Sequence, residues 1–246
     1  MTAAAALHVA AWSGPRNIST AMMRAWENRG DCLVVDEPLY AHYLAHTGLD
    51  HPGREAVIAA GETDWRQVAR RLTAPLPAGV TLSYQKHMTH HLLPHIARDW
   101  LRALTHIFLI RDPRRVLVSY IKSRPNVVAA DIGILQQLEI YQYVSAETAA
   151  APPVIDAGEF LRAPEAQLRL LCERLGVAFS PRMLSWPAGP RASDGVWAPH
   201  WYEQVYRSTG FEAPVESEPQ VPAEFRGLIA QVMPAYELLF ARRLRA

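Results

Sequence analysis

One stretch constrains this chain more than any other: Leu7 to Trp26, LHVAAWSGPRNISTAMMRAW. It opens as a short apolar run (Leu7, Val9, Ala10, Ala11), long enough for a buried strand and too short for a helix. The run breaks at Ser13-Gly14-Pro15, where glycine and proline punctuate a turn. It restarts with Ile18, Met22, Ala25 and Trp26 spaced along one helical face. Asn17, Ser19 and Thr20 crowd the first helical turn, where backbone N–H groups lack intrahelical partners and carry partial positive charge. With Arg16 in the turn, the spacing predicts an anion cradle at a strand–helix junction. The alternative is an ordinary junction whose Ser and Thr only cap the helix.

A second stretch repeats the plan. Thr105 to Arg124, THIFLIRDPRRVLVSYIKSR, is a β-rich run over Ile107–Ile110, then Arg111-Asp112-Pro113, then a helix. A third, Val154 to Gly176, again reads as strand, turn and helix. The first stretch lacks the second glycine and the Gly-Lys pair of the triphosphate loop G-x-x-x-x-G-K-[ST].

Taken in this order, the three stretches resemble the sulfotransferases, P-loop relatives that bind 3′-phosphoadenosine 5′-phosphosulfate (PAPS). Arg16-Asn17-Ile18-Ser19-Thr20 resembles the family's 5′-phosphosulfate loop, a basic residue about three places before a Ser/Thr pair. Arg111 and Ser119 hold the places of the 3′-phosphate motif, an arginine at a strand end with a serine eight residues on. Arg111 offers a planar fork of donors and Ser119 a hydroxyl. Val154–Gly176 resembles the family's late strand, turn and helix, so the resemblance runs from residue 7 to about 176.

The resemblance implies an α/β fold: a three-layer sandwich on a central, mostly parallel sheet of about five strands, like the P-loop NTPases. It implies a transferase that moves a sulfuryl group from PAPS to a hydroxyl or amine of a small-molecule acceptor, leaving adenosine 3′,5′-bisphosphate. Gly14, Pro15, Arg16, Asn17, Ile18, Ser19 and Thr20 are then expected at the 5′ end, with Arg16 also meeting charge on the bridging oxygen. No metal is required, and no aspartate stands out to hold magnesium as in a triphosphatase. The alternative is a P-loop protein that binds nucleotide without sulfuryl transfer, either a phosphoryl-transfer relative or an inactive binding module.

The general base has three candidates. Cytosolic members of the family carry Lys-Thr-His after the third strand, whereas this chain reads Lys86-His87-Met88. His87 is expected as the base although displaced by one residue. Lys86 keeps the family's position and, with Lys122, is one of two lysines in an arginine-rich chain. Glu37 is the rival, because some carbohydrate sulfotransferases carry Glu-Pro at the end of the second strand. His87, His91 and His95 fall at helical spacing, but Pro94 interrupts them and no H-E-x-x-H pattern is present, so no metal site is expected. Trp197 and Arg191 are candidates for the loop that closes over the bisphosphate in cytosolic members, although its glycine-rich spacing is absent here, or else they pack a surface loop.

Composition adds bounds. The 246 residues contain no Gly/Ser-rich or charged linker, so a single domain over 1–246 is expected, with 39–76 a covering insertion. A formal net charge of +1 argues against a nucleic-acid or membrane-surface binder. Basic residues still gather around the second motif: Arg98, Arg102, Arg111, Arg114, Arg115, Lys122 and Arg124. Cys32 and Cys172 read as small core residues, not a disulfide. The N-terminal MTAAAALHVAAW has no basic leader and its apolar part is the first strand, so a soluble cytoplasmic protein is expected.

Further strands are expected at Cys32–Val35, Val80–Gln85 and Val154-Ile155. Helices are expected from Thr63 or Asp64, over 132–148, and over Ala223–Arg243 with Pro234 as a kink. Segments 39–76 and 124–140 are expected to line the acceptor pocket.

Overall fold

β1 (Leu7–Ser13) sorts its side chains by parity, because successive residues of a strand point to opposite faces. Val9 and Ala11 enter a core with Met22, Tyr84, Leu109, Phe160 and Leu171; Ala10 and Trp12 enter another with Leu92, Phe108, Tyr141, Val232 and Leu239. A strand buried on both faces is the signature of a parallel sheet covered by helices. The computed structural model describes residues 6–122, 126–148, 150–214 and 216–245, leaving Arg124 and residues 1–5 outside the described residues.

From β1 the chain enters α1 (Ser19–Glu27) and β2 (Cys32–Asp36), then α2 (Tyr40–Thr47), α3 (Arg54–Ala60) and α4 (Trp65–Leu72). β3 (Leu82–Met88) and β4 (Thr105–Ile110) follow, then α5 (Pro113–Tyr120), α6 (Ala129–Ile132) and α7 (Ile134–Glu147). The chain continues through β5 (Val154–Asp156), α8 (Ala157–Arg162), α9 (Pro164–Leu175), α10 (Ala198–Trp201) and α11 (Glu203–Arg207) to α12 (Arg226–Phe240). The strands lie in the order β2-β3-β1-β4-β5, every pair parallel. The architecture is therefore a three-layer, P-loop-like α/β sandwich, as the sequence leads one to expect.

Three local differences matter. β3 runs to Met88 without a break, three residues past the expected end. The closing helix begins at Arg226 after a 3₁₀ turn at Ala223–Phe225, and Pro234 sits inside it. The covering insertion holds three helices, of which only α4 is foreshadowed; Asp64 caps it by accepting from Arg66 N–H at 2.9 Å. That insertion shares a small core of its own, in which Tyr40, Leu44 and Val57 pack with Trp197 and Tyr202.

Among the described residues no helix is long and apolar enough to cross a membrane. Gly14 is required by close approach, since a Cβ there would sit 2.8 Å from the Ile132 carbonyl oxygen.

Candidate functional site

At the carboxyl ends of β1 and β4 the two arginine motifs meet. α1 starts with no side-chain cap and no acidic residue in its first turn, so its N–H groups stay open to an anion. Asn17 does not supply a cap either. Its Nδ2 donates to the Leu109 carbonyl at 2.8 Å and its Oδ1 accepts from Ile18 N–H at 2.8 Å, which ties the loop to β4. Arg16 adopts φ 55, a left-handed conformation rare for residues other than glycine and common at functional sites. Its Nε donates to Ser119 Oγ at 3.0 Å, and the Arg111 guanidinium donates to the Arg16 carbonyl.

The motifs expected at the two ends of one ligand are thus hydrogen-bonded to each other. Among the described residues no carboxylate pairs with Arg16, Arg111 or Arg115 within 4.0 Å. Burial, reinforced by the charges of Arg115 and Arg16, holds the Arg111 guanidinium below its ordinary pKa. Asp112 and Asp156 act on Arg111 only from beyond ion-pair distance, so three cations without a paired carboxylate stand beside an open helix N-terminus, an arrangement suited to an anion. Asp112 is spent elsewhere, capping α5 and pairing with Arg114 at 2.6 Å.

Two cavities share this wall. One of about 460 Å³ is lined by Pro15, Arg16, Asn17, Ser19, Thr20, Glu37, Lys86, Arg111 and Ser119. The other, about 650 Å³, is lined by Asn17, Ile18, Arg111, Arg115, Ser119, Leu161 and Phe211. Arg111, Ser119 and Asn17 face both. Gly14 lines neither; it contributes by letting the loop seat on Ile132. From the expected acceptor segments, Tyr40 and His51 line the first cavity, whereas no described residue of 124–140 does.

The first cavity is also lined by Glu37, Lys86 and Tyr202, which with Asp36 form a buried ion cluster. Lys86 Nζ donates to Asp36 Oδ1 at 2.9 Å, Glu37 Oε1 at 2.6 Å and the Tyr202 hydroxyl at 2.5 Å. Burial opposes the charge on Lys86, yet Asp36 and Glu37 overrule it and hold the ammonium well above the ordinary lysine value. Glu37 is pushed upward, chiefly by burial, with Lys86 pulling it back and Asp36 adding to the rise. Like Arg16, Glu37 takes a positive φ, 39, which turns its carboxylate off the strand line into the cavity. Its Oε2 lies 3.9 Å from His91 Nδ1, and burial holds that imidazole neutral.

Tyr202, which sequence reasoning missed, donates its hydroxyl proton within reach of both Asp36 oxygens, at 2.9 and 2.7 Å. It lies in a loop-rich stretch with no motif, and no local signal marks it.

His87 requires a correction. It lines neither cavity, is 1% exposed, and stacks on Trp12 at 4.5 Å with its Nε2 beside Gln85 Oε1. The cause is strand parity. Because β3 continues straight to Met88, Lys86 and Met88 face the cavity and His87 faces the opposite core. His87, His91 and His95 likewise fail to converge, since His91 lines the cavity and His95 turns toward α2.

Burial lowers the His87 pKa to about 3, and those of His90 and His106 to about 4. The unfolded chain, with ordinary values near 6.5, then binds more protons than the fold between those limits. Stability is therefore expected to fall as pH drops from about 6.5 toward 4, read by denaturant titrations at stepped pH. His87→Gln should flatten that slope; an unchanged slope would remove His87 from the account.

Trp197 donates Nε1–H to the Tyr202 hydroxyl at 3.3 Å, and the Arg191 side chain bonds the Pro187 carbonyl. Both pack the loop, and neither lines either of the two cavities described above. Cys32 and Cys172 are free thiols.

Residues 7–243 match the sulfotransferase domain family. The chain is 35% identical over 229 residues to branched-chain-amino-acid aminotransferase-like protein 2 of Arabidopsis thaliana, covering 93% of this chain. It is 36% identical over 228 residues to branched-chain-amino-acid aminotransferase-like protein 1 of the same plant, again covering 93% of this chain. The chain spans 40% of the length of each of these relatives. Among solved structures, a sulfotransferase from Alicyclobacillus acidocaldarius superimposes with a TM-score of 0.55 at 13% identity, covering 98% of both chains. At that identity the likeness is one of fold.

Proposed function

The chain belongs to the sulfotransferase domain family, and from that premise we propose that, as one domain, it transfers a sulfuryl group from PAPS to a hydroxyl or amine of a small acceptor. The observation that carries this reading is the hydrogen-bonded trio Arg16, Ser119 and Arg111, of which Ser119 and Arg111 face both cavities and Arg16 the first. A donor with phosphate at both ends of a nucleoside fits such a wall: cations that no described carboxylate pairs within 4.0 Å, and an uncapped helix N-terminus beside them. Arg111 and Ser119 then hold the 3′-phosphate, and the loop Gly14–Thr20 the 5′ end. The larger cavity, with Leu161 and Phe211, takes the nucleoside, and the smaller one takes the acceptor.

When bound, PAPS supplies an activated sulfuryl group. Arg16 and the α1 N–H groups stabilise the charge that grows on the bridging oxygen as the S–O bond to phosphate breaks. Glu37 takes the proton of the attacking hydroxyl or amine, on Oε2, the oxygen that Lys86 leaves free. Lys86 favours the ionised carboxylate and fixes its aim, while Asp36 and Tyr202 fix Lys86. A cytoplasmic setting goes with this reading, which is consistent with the free thiols of Cys32 and Cys172.

Binding calorimetry tests the donor site. Adenosine 3′,5′-bisphosphate should bind without metal and more tightly than 5′-AMP or ATP with magnesium. Arg111→Ala should cost the bisphosphate about 1.5–3 kcal/mol and leave 5′-AMP nearly unaffected. Preference for ATP with magnesium would favour a nucleotide-binding protein without sulfuryl transfer. An unchanged preference for the bisphosphate in Arg111→Ala would remove the arginine from the 3′ site.

A further inference from the structure

Outside the lining of both cavities, three histidines from two segments meet, His42 buried and His46 and His95 exposed. His42 and His46 stand one turn apart on α2, and His95 follows the 3₁₀ turn at Thr89–His91. Their nearest ring nitrogens all lie within 4.8 Å of one another, and no second cluster of this kind stands among the described residues. His42 Nε2 and His95 Nε2 are 3.0 Å apart, and the His46 and His95 ring centroids 4.1 Å.

The tautomer of His42 follows from its other nitrogen. Its Nδ1 lies 2.6 Å from the Thr63 carbonyl, which can only accept, so Nδ1 carries the proton. In the neutral ring the Nε2 lone pair is then aimed at His95. A metal-ligating histidine is oriented in this way, by donating its other N–H to a backbone carbonyl.

We propose that His42, His46 and His95 bind one divalent transition-metal ion of the zinc class, which clips α2 to the chain segment after β3. Imidazole nitrogens select zinc, copper, nickel and cobalt over magnesium and calcium, which prefer oxygen ligands. Tetrahedral zinc with Zn–N of about 2.0–2.1 Å sets its ligand nitrogens roughly 3.3–3.4 Å apart. The His42–His95 pair needs to open by only a few tenths of an ångström to match. His46 and His95 are exposed, so their rings can turn to complete the set and water can fill the fourth position. The neighbourhood also holds a charge that opposes a cation, that of Arg66. The clip would act on the active cavity at one remove, because α2 carries Tyr40 on its wall.

The test uses the full chain, stripped of metal with a chelator, and Zn²⁺ as the probe at pH 7.5. Calorimetry should show one ion per chain, and the melting temperature should rise with added Zn²⁺. Co²⁺ should give visible absorption bands of nitrogen-ligated tetrahedral cobalt. His46→Gln and His95→Gln should each weaken Zn²⁺ binding by about 100-fold or more, beyond the 10–100-fold typical of losing an outer partner. Both sites are exposed, so melting of the metal-free variants should match the parent chain, which separates a lost ligand from a lost fold. Unchanged Zn²⁺ affinity in the double variant would overturn the proposal and send the metal to the cavity histidines. Absence of saturable binding would reduce the trio to hydrogen-bonded imidazoles, and the donor-site assay above is independent of either outcome.

Discussion

Glu37→Gln is expected to lower turnover by about 10²–10⁴-fold, the usual contribution of a general base, while adenosine 3′,5′-bisphosphate binds as before. The substitution keeps the shape of a side chain that receives Lys86 at 2.6 Å and removes the ability to accept a proton. The pH–rate profile carries a second mark of the same role. A base works when ionised, so the rate should rise with pH as Glu37 loses its proton. Burial and Asp36 push that loss upward more than Lys86 pulls it down, so the acid limb should lie above the ordinary carboxylate range. A Gln variant that keeps both its rate and the acid limb would return the search for the base to the neutral imidazoles of His90 and His91. His87→Gln should show the opposite pattern, with stability lost and turnover of the folded fraction retained, because His87 faces the core behind the sheet.

Arg16→Ala is expected to lower kcat by about 10²–10³-fold, the scale seen when one preorganised donor to developing charge is removed. Binding of the bisphosphate product should weaken by a much smaller factor, because only the transition state concentrates charge on the bridging oxygen. The geometry supports such a split. Arg16 is held in a left-handed conformation, with its Nε on Ser119 and its carbonyl under Arg111, so the guanidinium is positioned before any ligand arrives. Equal losses in kcat and in product affinity, from parallel single-turnover and calorimetric measurements, would make Arg16 a binding residue only.

The two arginine motifs were legible because each is local. A strand, a turn and a helix start need only neighbouring residues, and hydrophobic spacing writes them directly into the chain at Leu7–Thr20 and Thr105–Ser119. The parallel sheet follows from that alternation, and so does the position of both arginines at the carboxyl ends of their strands. What the spacing left open was the strand end after Gln85. Three more residues of β3 decide by parity that Lys86 enters the cavity and His87 does not, and propensity is weakest at such boundaries.

The remaining decisions were tertiary. Tyr202 reaches Lys86 across 116 residues, and His42 reaches His95 across 53. Arg16 and Ser119, although 103 residues apart, share a hydrogen bond because β1 and β4 are neighbours in the sheet. The local pattern by itself marked the five strands and the helices after β1 and β4, with the arginines and hydroxyls at their starts, but not the helices α2 and α3 of the insertion. Which side chains share a cavity depended on strand order and on loops folding back over the sheet. Those contacts form only when the two halves of the chain pack together, and nothing in the spacing of nearby residues encodes them.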